Sequence, residues 1–349
     1  MKVVVAIDSF KGSATSAELN QAVKTAVLSV FPKFNVETFE IADGGEGSVS
    51  ALHSGLGGNF IEVETVDLMK RSMQASYLFL DHRLAVIEAA EVVGIDKIKP
   101  DEKTIQEATT FGLGALFLDA KKRGATEIVL SLGGSGTSDG GRGLLEALEG
   151  QDFSTIKITG LADVTNVYAG AEGYAKVFGK QKGGTAEILE RQDRAAQAFV
   201  QKIKKERKID LQEIPGTGAA GGLGGALVLL GGTLEPGFGK IAELLKIEEA
   251  IKTADLIITG EGQMDFQTAK GKVPFGMAKL GAKYNVPTIA FCGSLSEDLG
   301  EMSKILLASY SIQRTVLPLE KAMCKEVTLK NIQFLTENVL KTWCHGHRS

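Results

Sequence analysis

Asp8, Ser9 and Lys11 stand together where the apolar run Val3–Ile7 of "VVVAIDSFKGS" stops. A carboxylate there can hold a cation or accept a proton, and a lysine ammonium is a compact charge on a flexible stem that can neutralise phosphate. Three further stretches share the plan of an apolar run followed by glycines mixed with acids or hydroxyls: "DGGEG" at 43–47, "GGSGTSDGG" at 133–141 and "GEGQMD" at 260–265. They supply Asp43 and Glu46, then Asp139, then Glu261 and Asp265. In the longest, Gly133, Gly134 and Gly136 can turn backbone amides toward an anion. Ser135 and Thr137 add hydroxyl donors, and a helix expected after Asp139 and Gly140 adds its amino-terminal amides, which together make a phosphate cradle. Two more stretches, "ADVTN" and "VFGKQKGG", bring Asp163 and Asn166, suited to a hydroxylated substrate or a cation, and Lys180 and Lys182, suited to a phosphate or carboxylate. There is no G-x-x-x-x-G-K-[ST] signature, no catalytic cysteine and no serine–histidine pair. Acids, lysines and glycine turns suit phosphoryl transfer, in which positioning and charge neutralisation do most of the work.

These groups need strands and helices to position them. The run Val3–Ile7 has the continuous apolar character of a strand buried on both faces, as in a parallel sheet. Thr15 and Glu18 form a capping box that starts a helix carrying Leu19, Val23, Ala26, Val27 and Val30 at helical spacing. Asp8–Ser13 is therefore a strand-to-helix loop at the carboxyl end of a strand, the edge of an open α/β sheet where ligands bind. Strand-like runs are expected at roughly 36–42, 60–65, 76–80, 84–88, 127–132, 156–160, 254–259, 286–291 and 304–308. Helical patterns are expected at 13–31, 103–123, 141–149, 185–206, 271–284 and 326–343. This alternation predicts an α/β fold with a largely parallel sheet. The stretch 60–90 differs, because it holds three short strands better suited to antiparallel pairing. The expected organisation is two α/β domains. One is Rossmann-like, parallel and discontinuous (1–58 plus 250–349); the other is inserted (59–249), with a mixed sheet.

The chain has 349 residues, 44% of them hydrophobic, and a net charge of −4, which leaves no basic footprint for nucleic acid or an anionic membrane. Three scattered cysteines are neither a disulfide framework nor a metal cluster and point to a reducing, cytoplasmic setting. No stretch is apolar enough to span a membrane. His345 and His347 read as part of a frayed tail. The 42 glycines are clustered between apolar runs and helical patterns, where positive φ and close backbone approach are useful.

"GTGAAG" at 216–221 matches G-x-G-x-x-G but has no acid at the spacing a dinucleotide site requires. It is expected to be a glycine-rich helix packed closely against a sheet.

"DSFKGS", "ADGGEG", "LGGSGTSDGGRG", "ADVTN", "VFGKQKG", "PGTGAAGGLGGAL" and "ITGEGQMDFQTAKGKVP" stand in the order seen in the type 1 glycerate kinase family, which the chain resembles from Lys2 to about Val339. The resemblance implies ATP-dependent, Mg2+-dependent phosphorylation of D-glycerate, with two α/β domains and the site in the cleft between them. It also implies the 2-phosphate as product, as in similar bacterial members. The sequence departs from the usual pattern at Ser138, where asparagine is frequent, and at Gln263, where arginine is common. Every acid, and the lysine of "DSFKGS", is kept.

On this reading Asp8, Lys11, Asp43 and Asp139 are the catalytic candidates, with Lys11 neutralising the transferring phosphate and Asp43 and Asp139 as Mg2+ ligands. Ser9, Glu46, Asp163, Asn166, Lys182 and Asp265 are candidates for substrate binding. Gly133, Gly134, Ser135, Thr137, Gly140, Gly216, Gly218 and Glu261 are candidates for the nucleotide and its phosphates. The small-molecule partner is D-glycerate, and a monomer or homodimer is expected. Two other readings compete. One is a hydroxy-acid or nucleotide sensor without turnover, with Gln263 as the sign of lost catalysis. The other is a nucleotide-dependent oxidoreductase resting on "GTGAAG".

Overall fold

The computed structural model describes residues 1–346, so His347 of the expected tail lies outside the described residues; His345 falls in the last turn of a helix, Lys325–Gly346. In chain order the strands are β1 (Lys2–Ile7), β2 (Asn35–Thr38), β3 (Asn59–Val66), β4 (Ser72–Leu80), β5 (Leu84–Glu88), β6 (Glu127–Ser131), β7 (Lys157–Leu161), β8 (Thr233–Glu235), β9 (Leu256–Met264), β10 (Thr288–Leu295) and β11 (Ala308–Ser311). The chain forms two compact units. One comprises Met1–Asp43, Ser50–Gly55 and the chain from Phe238 onward; the other comprises Gly44–Val49 and Leu56–Gly237.

The first unit is built on a parallel sheet of order β11-β10-β9-β1-β2. Val3–Ile7 are completely buried, as a strand covered on both faces must be. Val3, Val5 and Ile7 pack with Leu256, Ile258, Ile289 and Phe291 of the neighbouring strands and with Leu19, Val23 and Val27 of the helix Ser16–Val30. That helix begins with the expected capping box: Glu18 N donates to Thr15 Oγ1 at 3.2 Å, and Thr15 N donates to Glu18 Oε2 at 3.0 Å. The chain runs from β1 outward to β2 and from β9 outward to β10 and β11, so the order reverses between β1 and β9. The crevice at such a reversal is where ligands bind in open α/β sheets.

The second unit has a six-stranded sheet of order β3-β4-β5-β6-β7-β8. The first three strands pair antiparallel, as the stretch 60–90 suggested, and β5 to β8 are parallel, so the sheet is mixed. Its core joins Tyr77, Ile87, Phe117, Ile128 and Leu130 to Leu223 and Leu227 of the helix Ala219–Leu229. Gly160 in β7 is what lets that helix lie close, because a Cβ there would sit 2.6 Å from the Leu227 side chain. The helix expected at 216–221 is not formed there: 216–218 is a turn, and Ala220, Gly221 and Gly222 are left-handed, so the regular helix that packs on the sheet begins only after them. No strand leads into it: the preceding element is the long helix Ala186–Arg207, so the oxidoreductase reading loses its strand–turn–helix context.

Two further expectations change. The pattern at 103–123 is not one helix but two, Thr104–Glu107 and Leu113–Lys122. The break follows from tertiary packing: a Cβ on Gly112 would lie 1.9 Å from the Val66 carbonyl oxygen, and Thr109 and Thr110 turn to another partner described below. The strand expected at 304–308 is a short helix, Met302–Ile305, followed by β11 at Ala308–Ser311.

Candidate functional site

In the first unit, β1 delivers Asp8 to the carboxyl edge of the sheet, and the local sequence fixes it there. Ser16 Oγ donates to the Ile7 carbonyl at 2.6 Å, and the Ile7 amide donates to Asn20 Oδ1 at 2.9 Å. The Asp8 amide donates to the Gly260 carbonyl at 2.9 Å, tying β1 to β9 at the point of reversal. A cavity of about 610 Å3 opens at this edge. It is lined by Asp8, Ser9, Lys11, Asp43, Glu261 and Gln263, which the sequence singled out, and by Lys272, which it did not.

Burial, then the neighbouring carboxylate of Asp43 and that of Glu261, push the Asp8 carboxyl up to about 7, opposed by the Ser9 amide and by Lys11. Burial also raises Glu261, against its hydrogen bond from Thr268 and the ammonium of Lys272 at 3.4 Å. Asp8 and Glu261, both held back from ionising, share the cavity with the carboxylate of Asp43, a natural seat for positive charge. Among the described residues no cluster of three or more His, Cys, Asp or Glu encloses a metal by itself. Mg2+ asks for less, since it keeps several waters and takes one or two carboxylates beside substrate phosphates.

The second unit has a smaller cavity of about 280 Å3, lined by Gly133, Gly134 and Ser135 of the long glycine loop, by Asp163 and Lys182, and by Gln181 and Ala220. Lys182 is 3% exposed, and among the described residues its ammonium donates to the Thr137 carbonyl at 2.6 Å. Burial brings its ammonium down to about 8, although Asp139 works the other way. Asp163 accepts from the Gly237 amide at 3.2 Å.

Asp139 belongs to a different arrangement. Its Oδ2 accepts from the Thr110 amide at 2.8 Å, the Thr110 hydroxyl at 2.9 Å, the Gly143 amide at 3.1 Å and the Thr109 hydroxyl at 3.3 Å. Its Oδ1 accepts from the Gly141 amide at 3.0 Å. A carboxylate offers about four lone-pair sites; here Oδ2 is saturated by the protein, and Oδ1 accepts from the Gly141 amide. Asp139 caps the helix Arg142–Ala147 and clasps the break between the two helices at 104–122.

The glycines of the two glycine-rich loops largely meet protein. A Cβ on Gly221 would lie 2.0 Å from the Thr137 carbonyl oxygen, one on Gly222 2.6 Å from Gly140 Cα, and one on Gly218 2.2 Å from the Val167 carbonyl oxygen. Thr137 is completely buried and hydrogen-bonded to Ser135. Of the expected cradle, Gly133, Gly134 and Ser135 line the cavity. Thr137, Gly140, Gly216 and Gly218 are not among its lining residues. Asn166 turns its side-chain amide to the Glu172 carbonyl, Glu46 is exposed, and Asp265 accepts from the Gln267 amide; none of the three lines either cavity.

Sequence reasoning passed over Lys272 although it quoted "TAKGKVP"; its signal was a lysine directly before the helix Val273–Tyr284. Gln313, which also lines the first cavity, carried no signal at all, since "SIQRTVLPLE" has neither periodicity nor a glycine turn.

The sequence is similar to known proteins along its whole length. The model of the glycerate kinase family matches residues 3–155 and 150–344. A glycerate kinase of Bacillus cereus is 35% identical, with 98% of each chain covered, and a glycerate 2-kinase of Escherichia coli is 32% identical, with all of each chain covered. A Salmonella typhimurium LT2 crystal structure assigned to glycerate kinase 2 superposes with a TM-score of 0.87 at 32% identity, over the whole of both chains.

Proposed function

Because this chain belongs to the glycerate kinase family and is a phosphotransferase with an alcohol acceptor, we propose that it moves the terminal phosphoryl group of ATP to the 2-hydroxyl of D-glycerate, releasing ADP. The name of the Escherichia coli relative supports the 2-position. The observation that carries the reading is Lys182: a buried ammonium with donors to spare, in a small cavity that also holds a carboxylate. Roughly 300 Å3 is the lower end of small-molecule pockets, a volume for a three-carbon acid rather than a nucleotide. Lys182 takes the glycerate carboxylate, with Gly133, Gly134 and Ser135 beside it, and Asp163 takes the acceptor hydroxyl, orienting it and receiving its proton.

The phosphate chemistry belongs to the acid-and-lysine part of the larger cavity. Lys11 and Lys272 are the ammonium groups there, and a charge contact made mainly in the transition state is worth about a hundredfold or more in rate. Asp8 and Asp43 fit Mg2+, because they are hard oxygen donors whose mutual repulsion a divalent cation would relieve. When bound, Mg2+ would neutralise charge on the phosphates. Asp139 accepts five hydrogen bonds from the protein, four of them on one oxygen, which suits holding the loop 133–141 in shape rather than binding the cation. We further propose a cytoplasmic protein that acts as a monomer or homodimer. The test is ADP release from ATP, Mg2+ and D-glycerate, with Lys182→Met and Asp163→Asn as variants. A sensor without turnover would bind glycerate and release no ADP.

A further inference from the structure

The larger cavity contains more than phosphate chemistry needs. Besides its charged and polar residues it carries an apolar side formed by Phe10, Ile312, Leu317, Leu319 and Met323. Leu319 and Met323 are exposed, at 73% and 37%, which leaves apolar surface uncovered at a polar site. Among them stands Gln313. Its Oε1 is buried and has no hydrogen-bond partner, although buried polar atoms are nearly always paired. Its backbone is anchored through the amide, which donates to Ser311 Oγ at 3.2 Å. The cavity sits at the reversal of strand order, and its volume of about 610 Å3 exceeds twice that of the other unit's cavity, about 280 Å3.

We infer that this apolar lining seats the adenine base of the phosphoryl donor and that Gln313 reads the base edge. The inference rests on the kinase reading, since it names the seat of that reaction's nucleotide. A flat, largely apolar ring fills a lining that a triphosphate cannot. A glutamine amide matches adenine in both senses, accepting from the exocyclic amine and donating to a ring nitrogen, whereas guanine presents two acceptors at the same edge. Gln313 is then a specificity residue for ATP over GTP.

The experiment is photolabelling of the full chain with 8-azido-ATP without glycerate, followed by peptide mass spectrometry, beside kinetics of Gln313→Leu. The expected label falls within residues 8–11 or 312–323 and is competed by ADP. Label within 133–141 or 216–222, or no competed label, overturns the seat. Gln313→Leu is expected to raise KM for ATP about tenfold to a hundredfold, to change kcat/KM for GTP less, and to leave KM for D-glycerate unchanged. Its melting temperature should not fall, because the change removes an unpaired buried acceptor. Unchanged discrimination between ATP and GTP overturns the role of Gln313. Labelling needs no turnover, so label at 312–323 without ADP release from ATP and glycerate would keep the seat and remove the kinase reading. Turnover with label in the glycine loops would do the reverse.

Discussion

The Nζ of Lys182 lies 2.6 Å from the backbone carbonyl oxygen of Thr137, deep enough that the side chain is 3% exposed. A single carbonyl leaves an ammonium with unused donors in a place water barely reaches, and in the proposed function a substrate carboxylate completes it. Lys182→Met should therefore raise KM for D-glycerate about tenfold to a hundredfold, the worth of hydrogen bonds to a charged group, with a smaller effect on kcat. Steady-state kinetics at saturating ATP would show it. An unchanged KM would remove Lys182 from the substrate site.

The same ammonium gives a pH dependence. Burial lowers it to about 8, so it is charged at pH 7 and loses its proton as pH rises through 8. KM for D-glycerate should climb between pH 7 and pH 9.5 in the wild type and stay flat in Lys182→Met. Parallel profiles would contradict the assignment.

Asp139 separates a positioning role from a metal role. Asp139→Ala strands the amides of Thr110, Gly141 and Gly143 and should cost about 3 kcal/mol or more of stability in urea denaturation. The Mg2+ concentration for half activity should not move in whatever activity remains. A raised Mg2+ requirement at unchanged stability would restore the metal role.

Asp8→Asn tests the crowding of acids. A carboxyl raised in the folded state from its ordinary value to about 7 contributes stability that is complete below the ordinary value and lost as pH rises through 7. With chelator present and no ligand, Asp8→Asn should therefore melt higher than wild type at pH 8. The gain should shrink as pH falls from 7 toward 4. Equal melting temperatures at pH 8 would mean that Asp8 is not strained by its neighbours.

Gly218 distinguishes packing from ligand approach. Its backbone is right-handed, so a methyl group there is opposed not by φ but by backbone, the Val167 carbonyl oxygen at 2.2 Å and the Asn166 carbonyl oxygen at 3.1 Å. Gly218→Ala should destabilise by about 1–3 kcal/mol, as overpacking does, and leave KM for ATP unchanged. Loss of ATP affinity without loss of stability would place nucleotide at this loop.

What the sequence revealed depends on the range of the forces involved. The burial of β1, the capping box at Thr15 and the antiparallel stretch β3–β5 were legible because each is written in a few adjacent residues. Asp8, Lys11, Asp43 and Glu261 could be collected because each follows an apolar run, and they line one cavity. The glycine loops were visible but not their reason. Gly221 meets Thr137, and Gly218 meets Val167, across distances in sequence that no local pattern records. The break at Gly112 depends on a carbonyl of β3, and the engagement of Asp139 depends on Thr109 and Thr110. Gln313 was invisible for the same reason: an unpaired buried oxygen is a property of its surroundings.

The most direct measurement is incubation of the purified chain with ATP, Mg2+ and D-glycerate, with ADP followed continuously and the product identified by phosphorus NMR. The account predicts ADP formed in equal amount with 2-phosphoglycerate, and turnover lowered about a hundredfold or more by Lys11→Ala. ADP that does not depend on glycerate, or glycerate that binds without any phosphorylated product, would contradict it.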